Sequence, residues 1–112
     1  MKANELRIGN LVTFNGKQII VSWEDVQFIM TSDFEKEYHK PIPLTEEWLL
    51  KFGFSTVGGE FYLQVDNDLE IAIEFWDKTV YHNSHYISTV KYVHKLQNLY
   101  FALVGEELKI KE

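Results

Sequence analysis

The chain has 112 residues, within the usual size of one domain, and its hydrophobic content of 46% is enough for a packed core. Its net charge of −6, with lysines and arginines scattered along the chain, disfavours binding to duplex nucleic acid. The lack of cysteine excludes disulfides, thiolate metal sites and cysteine nucleophiles.

The hydropathy pattern indicates in which cellular compartment the protein is expected. Residues 1–7 lack the apolar stretch of a secretion signal. No window approaches the roughly 18 consecutive apolar residues of a transmembrane helix. We therefore expect a cytoplasmic protein that has no membrane partner.

The first predicted element is a β-hairpin centred on Asn15-Gly16. This dipeptide accepts the positive φ angles of a type I′ turn, and apolar runs flank it at residues 11–14 and 17–23. Glu24-Asp25 is interpreted as a second turn that leads into a strand at residues 26–30. The N-terminal part therefore predicts a three-strand β-meander, compatible with half of an SH3-like barrel, before a polar loop at residues 32–40.

A short helix is predicted within residues 44–54, after Pro41 and Pro43. Thr45 is a good N-cap, and acidic residues follow it in the first turn, where the helix dipole favours negative charge. Gly53 fits the left-handed position at the C-terminus. The buried stripe is expected to consist of Trp48, Leu49 and Phe52.

A second antiparallel meander follows the short helix. Gly58-Gly59 predicts a hairpin, and further turns are expected at Asn67-Asp68 and Asp77-Lys78. Residues 69–76 alternate strictly, so one face of the sheet is apolar and the other carries Glu70, Ala72, Glu74 and Trp76. The apolar face needs a cover.

The last element is a predicted helix over residues 90–104, which begins after Ser88 or Thr89 and ends at Gly105. We expect this helix to pack on the apolar face of the second meander. The predicted fold is one α+β domain spanning residues 1–112. Whether the two meanders share one sheet is left open by the pattern.

Aromatic side chains on the polar side of the second meander are the main candidate for a binding surface. Trp76, Tyr62 and Tyr81 are expected there, and Phe101 falls off the apolar stripe of the last helix. Exposed aromatic side chains are enriched at protein interfaces. The alternative is that the N-terminal meander or the loop before Pro41 covers them.

His82 and His85 are the one closely spaced histidine pair, and they could contribute to a metal site. No third ligand is identifiable, and turn-forming residues separate the two, so ordinary loop histidines are the favoured interpretation. We assign no metal, no cofactor and no catalytic residue. Glu70 and Glu74, two apart on one strand face, could act as an acid–base pair, but such spacing is also common on exposed strands.

Three stretches together resemble a known group of proteins: residues 4–10 (N-E-L-R-I-G-N), residues 41–54 (P-I-P-L-T-E-E-W-L-L-K-F-G-F) and residues 91–103 (K-Y-V-H-K-L-Q-N-L-Y-F-A-L). The group consists of short uncharacterised bacterial proteins, common in Bacteroides-type genomes and their prophages or mobile elements. The resemblance implies a bacterial or phage-encoded origin. It implies no activity and no site residue.

Three functions are compatible with these observations. The first is a non-enzymatic protein-binding or adaptor protein of phage or mobile-element origin, which binds another protein or itself. The second is a small hydrolase or metal-dependent enzyme that uses His82, His85 and nearby carboxylates. The third, binding of single-stranded nucleic acid by aromatic side chains, is disfavoured by the negative net charge.

Overall fold

The computed structural model of the chain describes residues 6–31 and 39–111, and these residues confirm the predicted α+β class. Their elements in chain order are β1 (Leu11–Phe14), β2 (Lys17–Ile20), α1 (Trp23–Thr31), β3 (His39–Pro41), α2 (Glu46–Lys51), β4 (Ser55–Val57), β5 (Glu60–Asp66), β6 (Leu69–Glu74), β7 (Thr79–His82), β8 (His85–Thr89) and α3 (Val93–Val104).

The described residues divide into two compact units. Unit 1 comprises the chain up to Pro43 together with Tyr92–Leu108, and unit 2 comprises Leu44–Lys91 together with the chain from Lys109 onward. The strands of these residues form two separate sheets, of three and five strands. The two predicted meanders therefore do not share one sheet. The prediction of one domain over residues 1–112 stays a prediction.

The sheet of unit 1 is antiparallel, in the order β2-β1-β3. Its hairpin confirms the turn predicted at Asn15-Gly16, because the two residues have φ angles of 51° and 83° and Phe14 pairs with Lys17. Leu6, Val12 and Val21 form a buried cluster beneath this sheet, with Ile19 and Val26 packed against it. The three-stranded sheet is thus present, but its third strand is β3.

The strand predicted at residues 26–30 is wrong, because this segment belongs to helix α1. The helix begins with a capping box. The Ser22 amide and hydroxyl both donate to Asp25 Oδ2 at 2.8 Å, and the Asp25 amide donates back to Ser22 Oγ at 3.4 Å. Of the predicted polar loop, residues 32–38 lie outside the described part of the chain, and the last two belong to β3.

The C-terminal helix predicted from the sequence is confirmed as α3, although it begins at Val93 rather than Val90. The helix ends at Gly105, whose φ of 84° lets its amide donate to Phe101 O at 2.8 Å. Within unit 1, α3 packs against β1. The prediction that it also covers the second meander stays a prediction.

A polar network ties the segment before β1 to α3. Buried Asn10 accepts from the Arg7 amide at 2.6 Å and donates to Asn98 Oδ1 at 2.8 Å. Arg7 donates to the same Asn98 oxygen at 2.6 Å, and the Leu11 amide donates to buried Gln97 at 2.8 Å. Two of the three segments that carry the family resemblance therefore meet in this network.

Unit 2 begins with α2, which matches the prediction closely. Thr45 is the N-cap and accepts from the Trp48 amide at 3.3 Å. Gly53 adopts a φ of 94° just beyond the C-terminus. The predicted stripe of Trp48, Leu49 and Phe52 is buried.

The five strands of unit 2 pair consecutively, from β4 to β8, in an antiparallel sheet. Gly58 and Gly59 have φ angles of 59° and 86°, which confirms the predicted hairpin. One face of the sheet is buried and contains Phe61, Ile71, Ile73 and Val80. Strand β8 was not predicted; residues 85–89 were expected to lead into the last helix.

Asn83 clamps two turns together at one end of this sheet. Its Oδ1 accepts from the Glu70 amide at 2.8 Å, and its Nδ2 donates to Asp68 O at 2.7 Å. Asn83 and Ser84 form the β7–β8 turn with φ angles of 48° and 71°. The side chain of Asn83 therefore fixes the turn between β5 and β6 against that between β7 and β8.

Replacing Asn83 by alanine is expected to lower the free energy of unfolding by about 1–2 kcal/mol, since two exposed hydrogen bonds are lost. Urea denaturation followed by circular dichroism measures this change. Ser84→Ala is the matched control, because it alters the neighbouring left-handed residue and removes none of these bonds. Equal losses for the two variants would show that the clamp contributes nothing.

Candidate binding surface

The face of the five-stranded sheet opposite the buried one carries a row of tyrosines. Tyr62 pairs with Ala72, Ala72 pairs with Tyr81, and Tyr81 pairs with Tyr86, so the four positions line up across β5 to β8. The rings of Tyr81 and Tyr86 meet edge to face, with centroids 6.4 Å apart. Small Ala72 leaves space between the rings on either side.

The neighbouring row on this face carries carboxylates. Glu60 of β5 lies directly opposite Glu74 of β6, and Glu70 lies on the far side of the tyrosine row, opposite Gln64. Directly opposed like charges destabilise a sheet. Within residues 6–31 and 39–111, no lysine, arginine or histidine forms an ion pair with these three carboxylates. We call Tyr62, Tyr81, Tyr86 and Trp76, with Glu60, Glu70 and Glu74, the aromatic–acidic face.

Hydrogen bonds couple the aromatic residues to the acids. The Tyr62 hydroxyl donates to Glu60 Oε2, and Trp76 Nε1 donates to Glu74 Oε2 at 3.4 Å. The nearby ammonium group of Lys78 is engaged elsewhere, since it donates to Phe75 O at 2.8 Å and lies 3.7 Å from the centre of the Phe75 ring. The negative charge of Glu60 and Glu74 is therefore directed at the aromatic side chains and solvent.

The pKa values of two tyrosines are raised on this face, in part by the nearby carboxylates. The pKa of Tyr62 is raised, first by its hydrogen bond to Glu60, then by partial loss of water and by the charges of the three glutamates. The pKa of Tyr81 is raised, first by loss of water and then by Glu74 and other acids. Both phenols therefore stay protonated, as hydrogen-bond donors, to higher pH than usual.

Replacing Glu60 by glutamine is expected to bring the pKa of Tyr62 down toward its usual value, because the largest cause of the shift is removed. Nuclear magnetic resonance of the labelled phenol ring during an alkaline titration measures the change. Glu47→Gln, at an exposed position of α2 in the same unit, should leave the pKa of Tyr62 unchanged. A Tyr62 pKa that is insensitive to Glu60→Gln would contradict the described hydrogen bond.

A small cleft of about 250 Å³ opens at the end of the carboxylate row. Its walls are the β4–β5 turn and the beginning of the β6–β7 turn, and it is lined by Gly58, Gly59, Glu60, Glu74, Phe75 and Trp76. The two glycines leave one wall without side chains. Trp76 stands at the rim and is 86% exposed. The volume is below that of most drug-sized pockets and suits a single side chain.

The residues predicted from the sequence separate into two groups. Trp76, Tyr62 and Tyr81 lie on the aromatic–acidic face, and the side chain of Trp76 is largely exposed. Tyr86, 65% exposed, was missed because β8 was missed. Phe101 belongs to unit 1, where the guanidinium of Arg7 lies 4.2 Å from the centre of its ring.

The two predicted histidines lie away from this face. His82 and His85 are cross-strand partners on either side of the β7–β8 turn, and His82 pairs with buried Ile71, which places both on the other side of the sheet. His85 Nδ1 lies 3.1 Å from Asn83 O. In the described part of the chain, no group of three or more histidine, aspartate or glutamate side chains could hold a metal ion.

A serine, an aspartate and a histidine do meet in unit 1, but they do not form a catalytic triad. Asp25 stands in the middle, bonded through Oδ2 to Ser22 and through Oδ1 to His39 Nε2 at 3.0 Å. In a catalytic triad, the serine hydroxyl is hydrogen-bonded to the histidine and not to the aspartate. His39 is buried, with its ring centre 4.8 Å from that of Phe14 and 5.8 Å from that of Phe28. The group caps α1 and joins it to β3.

No protein-family model, no curated protein and no solved structure matches this chain. The predicted kinship with short bacterial or prophage proteins therefore stays a prediction. Over the described ranges, no helix is both long and apolar enough to cross a lipid bilayer. The function has to be inferred from the geometry of the residues.

Proposed function

We propose that the chain is a non-enzymatic protein-binding module whose partner docks on the aromatic–acidic face. The observation that carries the proposal is the exposure of Trp76, at 86%, on the face that also carries Tyr62, Tyr81 and Tyr86. Such side chains bury a large area on binding at a low cost in conformational entropy, and tryptophan and tyrosine dominate interface hot spots.

The charges of the face support a partner over the alternatives of self-association and nucleic acid. A second copy of this chain would bring a further −6 of charge toward the carboxylates. A nucleic acid would bring phosphates toward the same carboxylates. Self-association through Trp76 predicts that Trp76→Ala changes the mass measured by light scattering, whereas docking of a different protein predicts an unchanged mass.

The enzymatic alternative finds no comparable support. His82 and His85 point away from the carboxylates of the face, so the histidines and the acids do not converge on one point. The phage or mobile-element origin expected from the resemblance also stays a prediction, and the docking proposal does not depend on it.

Selection from a displayed library of random peptides tests the proposal without knowledge of the partner. Peptides selected on the wild-type protein should bind the Trp23→Ala variant and fail to bind the Trp76→Ala variant. Trp23 is a suitable control because it is also exposed, at 56%, but lies in unit 1. Peptides that bind both variants equally, or a selection that enriches none, would overturn the proposal.

A further inference from the structure

We infer that the cleft beside Trp76 receives a lysine or arginine side chain of the docked partner. The inference rests on the proposed function and adds the chemistry of the partner. It starts from three described features of one place: an exposed indole, two carboxylates and a wall of two glycines.

The carboxylates favour a cation over any neutral occupant. Glu60 and Glu74 are direct cross-strand partners, so their like charges repel one another in the free protein. No described cation forms an ion pair with either of them. A positive group placed in the cleft relieves the repulsion and gains attraction from both, which a neutral or acidic side chain cannot do.

The indole of Trp76 favours a cation that is carried by a long aliphatic side chain. The indole of Trp76 is the best of the aromatic rings for cation–π contact, and its Nε1–H donates to Glu74, which orients the ring beside the charge. The methylene groups of lysine or arginine can pack on such a ring while the head reaches the carboxylates. The cleft volume of about 250 Å³ accommodates one side chain of this length.

The turn at Gly58 and Gly59 leaves room for a peptide backbone beside the cleft. A Cβ atom built on either glycine has no neighbouring atom within 4 Å, so the turn leaves space beside the cleft for the backbone of a partner. The tyrosine row continues from the carboxylates across β5 to β8 and offers further side chains for contact. The occupant is therefore a basic side chain within a longer protein segment.

Titration of the labelled protein with an arginine-rich peptide, followed by nuclear magnetic resonance, tests the inference. The Trp76 indole N–H and the Gly58 and Gly59 amides should shift, while the indole signals of Trp23 and buried Trp48 should not. A glutamine-rich peptide of the same length should produce none of these shifts. Trp76→Phe assigns the indole signal.

The charge requirement is tested with two matched double variants. Glu60→Gln/Glu74→Gln should weaken binding of the arginine-rich peptide by about tenfold or more. Glu46→Gln/Glu47→Gln removes two carboxylates from exposed positions of α2 in the same unit and should change the affinity by less than about threefold. Equal weakening by both would indicate general attraction to an acidic protein and overturn the inference.

Failure of the inference can be distinguished from failure of the proposed function. If library peptides depend on Trp76 but contain no basic residue and still bind Glu60→Gln/Glu74→Gln at full strength, the face binds a partner and the cleft is not a cation site. If no selected peptide depends on Trp76, the proposed function itself is wrong. Changes in the nuclear magnetic resonance signals on adding the arginine-rich peptide would then not be enough to support it.

Discussion

Replacing Asn10 by alanine is expected to destabilise the protein by about 3 kcal/mol. Asn10 is fully buried, and its side chain accepts from the Arg7 amide and donates to Asn98. The alanine variant leaves the part-buried Arg7 amide and the side chain of Asn98 without their bonds to Asn10, and it opens a small cavity. An unsatisfied buried group costs roughly 1–3 kcal/mol, and the lost packing adds to this.

Chemical denaturation of the Asn10→Ala variant measures this effect, and Asn67→Ala is its control. Asn67 is exposed in the β5–β6 turn, so its replacement should change the free energy of unfolding by about 0.5 kcal/mol or less. A loss below about 1 kcal/mol for Asn10→Ala would show that water or a shifted Asn98 replaces the buried bonds.

Replacing Asp25 by alanine should cost about 2–4 kcal/mol. The variant loses the capping box with Ser22 at the beginning of α1 and the contact with buried His39. Asp25→Asn keeps a side-chain acceptor for Ser22 but removes the charge. A smaller loss for Asp25→Asn than for Asp25→Ala separates the hydrogen bonds of the cap from the charge of the carboxylate.

The same aspartate predicts a pH dependence. Partial burial of Asp25 alone would raise its pKa, but the hydrogen bonds from Ser22 and the ring of His39 outweigh this and lower it below 3.8. A carboxyl group whose pKa is lower in the folded than in the unfolded state stabilises the fold above the unfolded value. This stabilisation is lost as the pH falls through the folded value.

The pH dependence is measured as the difference in unfolding free energy between the wild type and Asp25→Asn. The difference should be constant at neutral and mildly acidic pH and should shrink as the pH falls below about 3.8. Taking the difference removes the contribution of the other carboxylates. A difference that stays constant through this range would mean that the pKa of Asp25 is not lowered by its partners.

Local signals predicted the elements whose turns and caps lie within a few residues. Asn15-Gly16, Thr45, Gly58-Gly59 and Gly105 each adopt the conformation that their residue type favours, and each ends or joins the expected element. The alternation of residues 69–76 likewise placed Trp76 and Glu74 on the face opposite Ile71 and Ile73. Five of the seven residues of the aromatic–acidic face were therefore predictable, and Tyr86 and Glu60 were not.

The errors arose where a local pattern was ambiguous or a partner was distant in sequence. Residues 26–30 form a short apolar run that suits either a strand or a helix. The deciding signal was the capping box of Ser22 and Asp25, but Ser22 was assigned to the preceding strand and Glu24-Asp25 to a turn. Strand β3 forms only by pairing with β1 across α1. Strand β8 follows an Asn83-Ser84 turn that lacks the usual glycine.

The polar side chains of the two units differ in how they are paired. In unit 1, the conspicuous polar residues satisfy one another: Arg7, Asn10, Gln97 and Asn98 form one network, and Ser22, Asp25 and His39 another. In unit 2, Glu60 and Glu74 of the aromatic–acidic face oppose one another, and each accepts a hydrogen bond from an aromatic side chain. A face that leaves like charges opposed costs stability, which natural proteins accept mainly at functional sites.

The most direct test of the docking proposal is the affinity of a peptide, selected on the wild-type protein, for the Trp76→Ala variant. Isothermal calorimetry should show a loss of about 2 kcal/mol or more, roughly thirtyfold, because a hot-spot side chain is removed from an otherwise unchanged face. Trp23→Ala should bind as the wild type does. An affinity for Trp76→Ala within about threefold of the wild-type value, or an equal loss for Trp23→Ala, would contradict the assignment of this face as the binding surface.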